Sequence, residues 1–204
     1  AGGVGGAGVT TVVSTGSLGG AGGDATLDLN VATGTTQAIG TLTIAGADGG
    51  SAGADGDSTS VPGAAGGSGG NASATIASDF TGNIVLNDGV AGATITAAGG
   101  AKGTATVTFD GGTVQTITGT IAADADGEGV IIFSGDSGDV TDIVTISGAV
   151  GTSAKKIGTI TSGVTTAQTN SAFTSDVFAT TITHGLNQDW AGDTTITMDF
   201  NGNA

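Results

Sequence analysis

Between residues 104 and 163 the chain runs as short stretches of Val, Ile, Thr and Phe, each stopped by Gly, Asp or Ser. Alternating β-branched runs punctuated by such residues predict strands joined by turns. The same pattern starts earlier. Residues 26–31 alternate strictly and place Leu27, Leu29 and Val31 on one face, and residues 41–44 place Leu42 and Ile44 inward with two threonines outward. Further runs fall at 74–76, 83–86, 93–97, 177–183 and 194–200, and no stretch of helical period interrupts them. The expected fold is all-β.

A recurrent unit sharpens this expectation. Gly40, Gly119 and Gly158 are each followed by Thr and then Leu or Ile. Strands repeating with short turns and no helices predict a β-solenoid, in which each coil stacks its apolar side chains on the coil below. An antiparallel β-sandwich is the alternative, with larger side chains at matched inner positions. Composition favours the solenoid: Gly is 42 of 204 residues and aromatics are 3%. Small and branched residues suit a narrow interior, and glycine admits corners with positive φ.

Two stretches break the pattern. Residues 1–23 are glycine-rich around the run 9–13 and read as a disordered or locally packed terminus, or, through Val9, Val12 and Val13, as a strand that pairs with an exposed sheet edge of its own or of another copy. Residues 24–204 then form one β-rich domain, interrupted at 45–74 by a segment with the only proline, Pro62, and few side chains to bury. That segment reads as a long surface loop, and Asp55 and Asp57 within it are candidate docking positions.

Charge narrows the function. Three lysines stand against eighteen acidic residues, of which only Glu128 is a glutamate, for a net charge of −15. Such a surface repels phosphate, which excludes nucleic acid and argues against an anionic lipid partner. Cysteine is absent, so no disulfide or thiolate site exists. No apolar stretch is long enough for a membrane-spanning helix. The missing initiator Met and export signal fit a processed chain or a piece of a longer one.

The acidic turns offer the only cofactor chemistry. Asp124, Asp126 and Glu128 at positions one, three and five, with Gly129 at six to make the bend, have the pattern that opens a calcium loop, where alternate side chains converge on one ion. The bidentate Glu that closes such a loop six residues after that glycine is missing, since Gly135 stands at its position, and a solvated turn is the competing reading. Asp136 and Asp139 follow at a spacing of three and are further candidate Ca2+ ligands. No catalytic group is expected: His184 is the only imidazole, and Trp190 alone, without Tyr or Arg, is a poor platform for the sugar of a polysaccharide lyase. Thr-x-Thr pairs recur, as at 106/108, 159/161 and 181/183. Stacked on a flat face they would order water as ice does, but their unequal spacing along the chain argues against a regular grid.

The runs TVTFDGG (106–112), ITGTI (117–121), AADADGEG (122–129), VTISG (144–148), KKIGTI (155–160) and DVFATTIT (176–183) resemble the repeat regions of bacterial autotransporter-type and S-layer-like surface proteins, including rickettsial-type outer-membrane antigens. That resemblance implies a right-handed parallel β-helical stalk or coat at an extracellular, bacterial cell surface. Together these readings predict a secreted structural protein, a subunit of a surface layer, stalk or filament that pairs with itself through strand edges. The alternative is an adhesin that displays the 45–74 loop to a cell-surface or host ligand.

Overall fold

A computed structural model describes residues 18–29, 36–51, 66–91, 101–110, 114–134, 143–162 and 170–184. Among them there is no helix. Among the described residues twelve strands form two mostly parallel sheets, neither closed into a barrel. The first sheet has the order β1 (Ala25–Leu29), β3 (Ala72–Ile76), β5 (Ala105–Asp110), β8 (Glu128–Ser134), β10 (Ile157–Ser162), β12 (Ala179–His184). The second has the order β11 (Asn170–Phe173), β9 (Ile143–Ile146), β6 (Gln115–Thr118), β4 (Asp79–Asn87), β2 (Thr36–Ala45), with β7 (Ile121–Ala123) also paired to β4.

A strand's partner therefore comes from the next passage of the chain and not from the next strand, which is why the sheets are mostly parallel. An antiparallel sandwich needs hairpins, and parallel neighbours need the longer crossovers this chain supplies.

The chain packs as two compact units. The larger comprises 27–44, 73–87 and 106–204, and its register is the source of its core. In the second sheet Phe80 pairs with Ile117 and Ile117 with Ile146, which pairs with Phe173. Alongside, Ile84 pairs with Ile121, and single bridges continue to Val150 and Val177. In the first sheet Val107, Ile131, Ile160 and Ile182 align, and Phe109 aligns with Phe133. Period-2 alternation sends these side chains inward, and Phe80, Ile84, Val107, Phe109, Ile117 and Ile146 are fully buried. Each contributes about 1.5–3 kcal/mol by leaving water.

The few aromatic residues are concentrated. Phe109 lies 5.6 Å from Phe133, which meets Phe173 edge-on at 5.7 Å. The small and branched interior that composition suggests is thus corrected locally by three phenylalanines in contact.

One corner needs glycine. A Cβ on Gly119 would fall on the carbonyl oxygen of Gly82, and one on Gly82 would fall on that of Ile39. Both residues have positive φ, +149° at Gly82 and +130° at Gly119, so successive passages touch backbone to backbone there.

Burial departs from expectation at β1. Leu27 is 42% exposed and Leu29 half-buried, because an edge strand has a neighbour on one side only. Burial improves along β2 and reaches Ile44 at 5%.

The smaller unit comprises 1–26, 45–72 and 88–105. Its described residues form no long strand, yet they are cross-linked through the backbone. Gly50 N–H donates to Gly20 O (2.8 Å), Gly22 N–H to Ser68 O (2.9 Å), Gly69 N–H to Ala101 O (2.8 Å) and Gly70 N–H to Ala47 O (2.8 Å). Gly50, Gly66, Gly67, Gly70 and Gly103 are buried. The flanks of the 45–74 segment are therefore not a solvated loop. Lacking side chains, they bury backbone against backbone, and the amides are satisfied by one another.

Candidate functional site

The acidic turn between β7 and β8 was the leading candidate. Asp124 is exposed, and its Oδ2 accepts from Asn87 Nδ2 at 3.1 Å. Asp126 is also exposed, and its Oδ1 accepts from Lys156 N–H at 2.9 Å. The two carboxylates thus reach to neighbours on either side in sequence, one toward the end of β4 and one toward the start of β10. Glu128 is buried at the start of β8, in register with Ile157. The turn is shaped by Gly127 and Gly129, with φ of +78° and +83°. The three acids do not converge, and no group of three His, Cys, Asp or Glu among the described residues is placed to hold a metal ion. Asp136 and Asp139 lie outside the described residues.

What the sequence pattern did not reveal is a ladder of Asp and Asn side chains. Asp24 Oδ1 accepts from Asn71 N–H at 2.7 Å, and Asn71 Oδ1 accepts from Thr104 N–H at 3.0 Å. Asp48 accepts from Val90 N–H (3.0 Å), Asp88 from Ala105 N–H (2.8 Å), Asp79 from Thr116 N–H (2.8 Å) and Asn83 from Thr120 N–H (3.1 Å). In every case a side-chain oxygen reaches a backbone amide in a later segment. The ladder joins residues 47, 33, 37 and 30 apart for the pairs from Asp24, Asn71, Asn83 and Asp126, so no fixed period marks it. Turn Asp and Asn are the residues best able to satisfy a stray amide.

Two surfaces remain that could meet a partner. The first is the sheet edges: among the described residues β1 and β12 bound one sheet, β2 and β11 the other. The run holding Val9, Val12 and Val13 lies outside the described residues, as do Asp55, Asp57 and residues 194–200. His184 ends β12.

The second is the outward side of the first sheet. Register aligns Thr106, Val130, Thr159 and Thr181 in one column, and Thr108, Ile132, Thr161 and Thr183 in a second. Between the columns the inward residues Val107, Ile131 and Ile160 are buried. Six of the eight outward positions are thus threonine, and none is charged. Thr181 and Thr183 are exposed, and the other six are half-buried by their neighbours.

Comparison with protein-family models, with curated proteins and with solved structures finds no match to this chain.

Proposed function

We propose that this chain is an architectural module of a bacterial cell surface, a secreted β-solenoid whose copies stack end to end through their sheet edges into a stalk, layer or filament. The observation that carries this reading is the pair of open, mostly parallel sheets with two edge strands at either end of their orders. A parallel edge offers a row of amide and carbonyl groups to a strand arriving in the same direction, and a second copy presents such a strand. The contact joins different surfaces of the two copies, so it propagates instead of closing. Stacked aliphatic columns and carboxylate-to-amide bonds between successive passages supply the uniformity such a stack needs. An extracellular setting is consistent with the acidic, cysteine-free composition.

The net charge of −15 opposes the approach of two copies, so assembly is favoured by salt and more strongly by divalent cations such as calcium. Negative-stain imaging and sedimentation of the full chain, with calcium and with chelator, test the proposal. The expected result is a linear or layered polymer, enriched by calcium. Deleting residues 1–17 is expected to leave a folded monomer. A full chain that stays monomeric at high concentration in both conditions, or a truncated chain that polymerises as the full one does, contradicts it.

A further inference from the structure

We propose that the outward face of β5, β8, β10 and β12 is an ice-binding surface, its ligand the crystal lattice of water. This goes beyond the architectural reading and does not depend on polymerisation. Neighbouring strands lie about 4.7–4.9 Å apart, and residues two apart in a strand are about 6.6 Å apart. The columns Thr106, Val130, Thr159, Thr181 and Thr108, Ile132, Thr161, Thr183 therefore form a two-dimensional grid with those repeats. The strand-to-strand repeat is close to the shorter repeat of oxygen atoms in ice.

The side chains suit the task. All eight are branched at Cβ, so each is held near one χ1 setting and the grid is stiff before any ligand arrives. Threonine adds a hydroxyl, which donates and accepts as lattice water does, beside a methyl group that water must enclose in an ordered cage. No charged side chain stands in either column to impose a competing hydration shell.

Unequal spacing along the sequence argued against such a grid. The structure removes that objection, because the segments between strands differ in length while the register across β5, β8, β10 and β12 is kept. Across β4, β6, β9 and β11 of the other sheet, the register aligns no equivalent array among the described residues. There Thr116 aligns with Thr145 and Ala172, and Thr81 with Thr118, with Gly82 and Gly119 immediately following.

The test uses the full chain, in ice-affinity partition and in microscopy of ice growth. Wild-type protein is expected to be enriched in slowly grown ice and to shape crystals. Thr161→Tyr, inside the grid, is expected to lower ice enrichment roughly tenfold with an unchanged circular-dichroism melt. Thr118→Tyr, on the other sheet, is expected to leave enrichment unchanged. Exclusion of the wild-type chain from ice overturns the proposal, as does full enrichment of folded Thr161→Tyr. If the face instead seats a second copy or a crystalline polysaccharide, the wild-type chain is excluded from ice and Thr161→Tyr disrupts a dimer or polysaccharide binding, which also overturns it.

Discussion

Gly119→Ala tests a close backbone contact between successive passages of the chain. The new methyl group would have to occupy the position of the Gly82 carbonyl oxygen. It would also sit on a backbone with φ of +130°, a region that costs a side chain about 1–3 kcal/mol. Relieving the overlap means moving one passage off the other. That loosens the bonds from Ile84 N–H to Thr120 O (2.9 Å) and from Thr120 N–H to Asn83 Oδ1 (3.1 Å), each worth about 0.5–1.5 kcal/mol. The combined loss is about 2–6 kcal/mol, which for a chain of this size lowers Tm by roughly 10 °C. Gly40→Ala is the matched control, a strand glycine whose Cβ would meet nothing within 4 Å. There alanine removes chain entropy from the unfolded state and is expected to raise stability by about 0.5–1 kcal/mol. Thermal melts of both variants, followed by circular dichroism, are the assay. Equal shifts for the two substitutions would refute the backbone-to-backbone corner.

Three further substitutions, at two positions, probe polar groups. Asp126→Asn keeps an oxygen for Lys156 N–H, whereas Asp126→Ala removes it; Asn is expected to melt within about 1 °C of wild type, and Ala, which loses about 0.5–1 kcal/mol, to melt a few degrees lower. A calcium role for this carboxylate would make the two variants equally defective and both insensitive to chelator. Gln115 is buried, and its Nε2 donates to Ile76 O (3.0 Å) and Ser78 O (2.6 Å). Gln115→Leu strands both carbonyls and is expected to cost about 1–3 kcal/mol in a denaturant titration, despite the gain in hydrophobicity.

The strands were largely legible because alternation is local. Residues 105–110, 128–134 and 157–162 bury every second side chain or nearly so, as their patterns suggest. Partnership was not legible, because Thr106, Val130, Thr159 and Thr181 become neighbours only after excursions of unequal length. That same inequality concealed the threonine grid. At the acidic turn, alternation at 124–128 suggests convergence on an ion when only one turn is in view, whereas the bonds of Asp124 and Asp126 to different passages of the chain depend on partners distant in sequence. Residues 66–70 looked empty because burial is usually read from side chains, while here Gly67 and Gly70 bury backbone.

The central claim is that successive passages of the chain are stacked in register, and spin labels can measure it. The chain has no cysteine, so pairs introduced on one outward column are labelled without interference. Thr108 paired in turn with Ile132, Thr161 and Thr183 samples one, two and three strand steps. Dipolar coupling is expected to report separations that rise by about 4.8 Å per step, before the reach of the labels is added. A Thr108–Thr183 distance no longer than the Thr108–Ile132 distance, or any order other than a steady increase, would contradict the stacked register.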